Sequence, residues 1–178
     1  MTLLSKRKRH AMHEAGHAVF RVVHGFPFHH VEIDIDDGTG DMSNPGQVAG
    51  AGLNLGVKEH QWQITIMCGL AGEKVNQKNA RLTMVDTLMT GYGDFHMLVD
   101  SLIDSGFNLK SKFFHRYTRL IFKEAHDFVV EHRALHALLT EALLERSRLT
   151  WDECLALKAQ CTRVAKSTTK RKNSYRTR

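Results

Sequence analysis

The sequence predicts a single domain that is mainly α-helical with a small β-sheet. Its 178 residues can bury a hydrophobic core, and 42% hydrophobic with 25% charged residues is a balance typical of globular proteins. Most of the chain spaces its apolar residues three or four positions apart, as amphipathic helices do, and one stretch alternates as a half-buried strand does. No internal repeat is present, which favours one domain over a repeat array.

The first helix is predicted over residues 5–24. Ser5 can act as its N-cap, Gly25 occupies the C′ position, and Pro27 prevents the helix from resuming. The basic run "KRKR" at its start opposes the helix dipole, so this end is expected to fray.

A strand is predicted in the stretch "HVEIDIDDG". Val31, Ile33 and Ile35 face one way and the acidic residues between them face the other. The glycine-rich stretch that follows predicts a turn and a second, weaker strand around residues 47–53.

The rest of the chain is predicted to be helical. A second helix carries the apolar stripe Trp62, Ile66 and Leu70, and a short third helix has its own apolar face. The "TWDE" motif is a capping box that opens the last helix. The predicted helices cover residues 57–76, residues 94–104 and the chain from Leu109 onward, with breaks near His132 and Arg148.

The first helix contains the motif His13-Glu14-Ala15-Gly16-His17, an HExxH pattern. Positions i and i+4 lie one turn apart on one face, so His13 and His17 can direct a ring nitrogen at the same ion. Glu14 is rotated by about 100° from His13 and need not bind the metal. It can instead accept a proton from a water molecule that zinc has polarised. The alternative is a helix with partly exposed histidines and no metal.

A catalytic zinc site needs a third protein ligand, and the sequence offers three carboxylates. Asp94 follows a Gly-Tyr-Gly turn and opens an apolar-periodic helix, where it could equally be an ordinary N-cap. Glu73 in "GLAGEKV" and Asp86 in "TMVDTL" are the other two. Residue types alone leave the choice open.

Four segments resemble the peptidase domain of FtsH-type, AAA-associated zinc metalloproteases. They are "HEAGHAV", "MCGLAGEKV", "TGYGDFHMLVD" and the leucine-patterned stretch from "FKEAHDFVV" to "WDECLAL", and the likeness spans about residues 8–160. The resemblance implies a zincin-like helical fold and hydrolysis of peptide bonds. It also implies that His13, His17 and Asp94 bind Zn²⁺ and that Glu14 is the catalytic base.

The chain departs from that family by lacking the ATPase module. No GxxxxGK[ST] motif and no transmembrane segment occurs in the sequence, so we expect a peptidase domain that acts without ATP on unfolded or loosely folded polypeptides. The rival interpretation is an inactive descendant that uses the same fold to hold nucleic acid or a protein partner. An intact Glu14 argues against it, because a binding module has no need of that base.

The net charge of +6 is concentrated at one end of the chain. Residues 166–178 contain six Lys or Arg and no acid, whereas residues 1–165 are balanced. We therefore predict a metallopeptidase-like domain over residues 1–165 and a basic, disordered tail that could contact a polyanion or a protein. Three cysteines without a CxxC pair and no signal peptide indicate a reducing, cytoplasmic location. The oligomeric state is left open.

Overall fold

The computed structural model describes residues 3–33, 40–41, 58–82, 92–108 and 110–174. Within these ranges the chain forms six helices and three short strands, which confirms the prediction of a mainly α fold with a small sheet. The helices are α1 (Leu3–His24), α2 (Glu59–Glu73), α3 (Tyr92–Asp104), α4 (Lys112–Glu131), α5 (Arg133–Arg146) and α6 (Trp151–Ser174). The strands are β1 (His30–Ile33), β2 (Gly40–Asp41) and β3 (Arg148–Thr150).

Helix α1 is the central element. Every residue from 13 to 22 is buried, which few amphipathic helices achieve because one face normally meets solvent. The helix begins at Leu3, two residues before the predicted N-cap Ser5. It ends as predicted, because Gly25 has a φ of 75°, the left-handed conformation that favours glycine at C′.

Two hydrophobic cores lie on opposite sides of α1. One joins α1 to the sheet, α5 and the start of α6, and it includes Val19, Leu139 and Leu149. The other joins α1 to α2, α3 and α4, and it includes Ile66 and Leu98. The side chains of α1 that carry chemistry therefore lie inside the protein and are fixed by packing on both sides.

The sheet contains three antiparallel strands in the order β2-β1-β3. Val31 pairs with Leu149, and both side chains are buried, as is Ile33. The inward direction predicted for Val31 and Ile33 is thus confirmed, whereas Ile35 and the weaker strand at residues 47–53 lie outside the described residues. Strand β3 was not predicted, and it fills the break expected near Arg148.

The capping box at the start of α6 is confirmed. The Thr150 N–H donates to Glu153 Oε2 at 2.8 Å, and the Glu153 N–H donates to Thr150 Oγ1 at 3.4 Å. Helix α6 continues to Ser174, into the segment for which the sequence predicts a basic tail; the division into domain and tail stays a prediction. None of the helices in the described ranges has the length and apolar character needed to cross a bilayer.

Candidate metal centre

The two histidines of the HExxH motif face α2 from the buried middle of α1. Their Nε2 atoms are 3.2 Å apart, and the rings meet edge to face with centroids 4.9 Å apart. Only 8% of His13 and 9% of His17 is exposed. The predicted pairing of these residues on one helical face is therefore realised in the fold.

Asp94 reaches the same point from the first turn of α3. Its Oδ2 atom lies 2.9 Å from His13 Nε2 and 3.3 Å from His17 Nε2. Asp94 is 8% exposed, so all three groups are buried. His13, His17 and Asp94 could together hold a metal ion.

The outer nitrogen of each imidazole is held by an oxygen that can only accept a hydrogen bond. His13 Nδ1–H donates to Glu73 Oε1 at 2.7 Å, and His17 Nδ1–H donates to the Thr65 carbonyl at 2.9 Å. In a neutral imidazole only one nitrogen carries hydrogen. Both Nε2 atoms of the neutral rings therefore present lone pairs towards each other and towards the Asp94 carboxylate.

Three electron-pair donors that face one another inside a protein need a positive charge between them. Donors about 2.0–2.1 Å from a tetrahedral zinc ion lie about 3.3–3.4 Å from one another. The three separations here are 2.9, 3.2 and 3.3 Å, so an ion fits with only small adjustments. The donor set, two imidazoles and one carboxylate, is one that zinc enzymes use.

The pKa values of the metal-free centre also indicate that it favours a positive charge. Burial acts to lower the pKa of His13, but the Asp94 carboxylate outweighs it and raises that pKa well above its ordinary value. Burial and Asp94 act in the same way on His17, whose pKa is also raised. Burial would raise the pKa of Asp94, yet the His17 and His13 rings hold it far below its usual range. Without a metal ion, the centre thus attracts protons.

Glu14 is next to His13 in the sequence, but its carboxylate is not part of the His13, His17 and Asp94 group. It is 5% exposed, and its charge adds to the upward shift of the pKa of both His13 and His17. Glu14 is therefore a further buried carboxylate whose negative charge acts on both rings.

Glycines allow α1 and α2 to approach closely enough to build the centre. A Cβ atom on Gly16 would lie 2.0 Å from the Cys68 carbonyl oxygen. A Cβ atom on Gly69 would lie 2.5 Å from both Nε2 atoms, on His13 and on His17. Gly69 therefore leaves open the space into which the ligand nitrogens point.

The structure separates the candidate carboxylates. Asp94 faces both Nε2 atoms, Glu73 lies behind His13 on the Nδ1 side, and Asp86 is outside the described residues. Two residues that shape the centre, Thr65 and Gly69, were not predicted from the sequence. Only the glycine had a signal, its place in "MCGLAGEKV", because a backbone carbonyl partner carries no residue signature.

Comparison with known proteins does not assign this chain to a family. No family model matches the sequence, and no curated protein matches it either. The centre is therefore interpreted from its own geometry, and the resemblance to FtsH-type peptidases stays a prediction.

Proposed function

We propose that this chain is a zinc-dependent metalloendopeptidase with an FtsH-type, zincin-like peptidase fold. The observation that carries the proposal is the convergence of His13 Nε2, His17 Nε2 and Asp94 Oδ2 at 2.9–3.3 Å, with the Nδ1 atom of each ring held by a hydrogen bond. A buried carboxylate, Glu14, lies next to them. Two imidazoles, an acidic third ligand and an adjacent base are the components of a hydrolytic zinc site.

His13, His17 and Asp94 would hold the ion. Zinc bound there would act as a Lewis acid that lowers the pKa of a bound water to about 7 and polarises a substrate carbonyl. Two histidines and one carboxylate also hold Fe(II) in oxygenases, so the ligands alone do not select the metal. Glu14 favours zinc, because a proton acceptor beside the ligands serves hydrolysis.

Glu14 is proposed to carry one proton through the reaction. As the oxygen of water bonds to the peptide carbonyl carbon, Glu14 accepts a proton from that water. It then gives the proton to the nitrogen of the breaking C–N bond, so the products are a carboxylic acid, which keeps the second proton of the water, and an amine. Glu73 and the Thr65 carbonyl keep both imidazoles in the tautomer that offers Nε2 to the metal.

The proposed substrates are unfolded or loosely folded polypeptides. Hydrolysis by these residues consumes no ATP, so it does not itself unfold a stable protein. Cys68, Cys154 and Cys161 are all unpaired thiols, which agrees with the proposed cytoplasmic location. The basic segment at residues 166–178 remains a candidate contact for a polyanion or a protein partner.

The test compares cleavage and zinc content in three variants. Glu14→Gln should keep about one zinc per chain and lose about 10²–10⁴-fold of the activity on denatured casein, because Gln cannot accept the proton. His17→Ala should lose both zinc and activity. Glu141→Gln, at an exposed position of α5, is the matched control and should change neither.

The outcomes separate the proposal from its rivals. Activity in Glu14→Gln equal to wild type would exclude the proposed base. Zinc bound without cleavage of any unfolded protein would favour the inactive binding protein. Iron in place of zinc in protein prepared without chelator would assign the centre to a different chemistry.

A further inference from the structure

We infer that a cavity between α4 and the chain that follows α2 binds a small anion with a phosphate or carboxylate group. The cavity has a volume of about 510 Å³, which is within the range of small-molecule sites. None of the metal-centre residues lines it. The inference therefore does not depend on the proposed peptidase activity.

Three cationic side chains from two segments line the cavity. Arg81 comes from the segment after α2, and Arg119 and Lys123 come from α4. Arg119 and Lys123 are four residues apart, so they lie one turn apart on the same face of the helix. All three side chains are exposed and can reach a ligand from solvent.

The positive charge is not balanced within the cavity. Its one carboxylate, Asp127, forms an ion pair with Lys123 at 2.5 Å. In the part of the chain that the structure describes, no carboxylate lies within ion-pair distance of Arg81 or Arg119. Two guanidinium groups thus remain available, and guanidinium binds phosphate and carboxylate through paired, charge-assisted hydrogen bonds.

A hydrogen bond links the two segments that line the cavity. His126 Nε2–H donates to the Lys74 carbonyl at 3.2 Å, which ties α4 to the segment after α2. Asn79 has a φ of 61°, a left-handed conformation that Asn tolerates better than most residues. Phe122 is a buried lining residue, and Leu82 packs on the same core, so an organic anion would find an apolar surface beside the cations.

The test is isothermal titration calorimetry of the full chain with inorganic phosphate and, in a separate arm, with succinate, both at constant ionic strength. We expect saturable binding of at least one anion at one site per chain. Arg119→Gln and Arg81→Gln should each weaken it roughly tenfold or more, because each removes a charged hydrogen-bond donor. Arg133→Gln, at an exposed position of α5, is the charge-matched control and should leave the affinity unchanged.

A second arm separates this cavity from the metal centre, since either anion could also bind a metal. His17→Ala should bind the anion as wild type does. Binding that is lost in His17→Ala would overturn the inference, as would no saturable binding of either anion. Equal weakening in Arg133→Gln and Arg119→Gln would also overturn it, because general charge would then explain the affinity. Circular dichroism of each variant checks the fold, and the two cavity variants test the site independently.

Discussion

The candidate metal centre and the cavity beside α4 each contain three groups of one kind, and the two sites differ in how deeply those groups are buried. Between α1, α2 and α3, three electron-pair donors converge and each residue is at most 9% exposed. Beside α4, three cationic side chains line one cavity and all are exposed. Repulsion between like groups is far weaker in water than inside a protein. The buried centre therefore needs its counter-ion much more than the open cavity does, and the effects of changing it should be larger.

The largest effect is expected at Asp94. Asp94→Ala removes a donor that faces both Nε2 atoms, so zinc binding should fall far more than in Glu73→Ala. Glu73 touches only the outer nitrogen of His13, and losing such a partner typically costs about 10–100-fold in metal affinity. Competition with a chromophoric chelator measures the zinc affinity of both variants. Asp100→Ala, at an exposed position of α3, is the control. A larger loss of zinc affinity in Glu73→Ala than in Asp94→Ala would make Glu73 the third ligand.

A single methyl group at the crossing of α1 and α2 should also prevent metal binding. In Gly69→Ala the Cβ atom would lie 2.5 Å from both Nε2 atoms, so the rings must turn away from their shared focus. Gly93→Ala is a stringent control, because Gly93 adjoins Asp94 and its Cβ atom would meet nothing within 4 Å. We expect zinc loss only in Gly69→Ala, with both variants folded by circular dichroism. Wild-type zinc content in Gly69→Ala would show that the centre lies elsewhere.

As pH rises, the stability of the metal-free protein and its affinity for zinc should change in opposite directions. In the metal-free protein the raised pKa of His13, which Asp94 causes against the effect of burial, stabilises the fold below the ordinary value of 6.5. That contribution is lost as pH rises through the raised pKa. Zinc needs the unprotonated ring, so its apparent affinity should grow by about tenfold per pH unit for each proton displaced.

Thermal unfolding of zinc-loaded and metal-free protein between pH 6 and pH 9 measures this contrast. The difference in Tm should widen as pH rises, because the metal-free form weakens while zinc binding strengthens. Asp94→Asn should remove most of the trend, since it lacks the carboxylate that raises the pKa of both histidines. A constant difference in Tm would mean that the imidazoles do not exchange protons for metal.

Much of this fold is local and could be predicted from the sequence. The end of α1 follows from Gly25, and the start of α6 follows from the Thr150–Glu153 capping box. Strand β3 has three residues, and it exists because Val31 pairs with Leu149 far along the chain. Such long-range pairing leaves no periodic signal in a short segment.

The candidate metal centre could likewise be predicted only in part. The facing of His13 and His17 follows from helical geometry, and the three candidate carboxylates could be named from the sequence. Their roles could not be assigned, because the choice between Asp94 and Glu73 depends on how α2 and α3 pack against α1. The Thr65 carbonyl is still less predictable, since any residue at that position would supply the same atom.

The smallest effect on either site is expected from removing the basic end of the chain. Deletion of residues 166–178 takes away six positive charges and no acid, from a chain whose remaining residues are balanced. Retention on heparin should therefore fall sharply and lose most of its salt dependence, because each neutralised anionic contact contributes to that dependence. Zinc content and phosphate binding should stay at wild-type values, since no residue of the metal centre or the cavity is deleted. Arg119→Gln should show the converse, with weaker phosphate binding and nearly unchanged heparin retention. If the truncated chain keeps its heparin retention and Arg119→Gln loses it, the cavity beside α4 is the main polyanion contact, and the basic segment is only a solvated end of the chain.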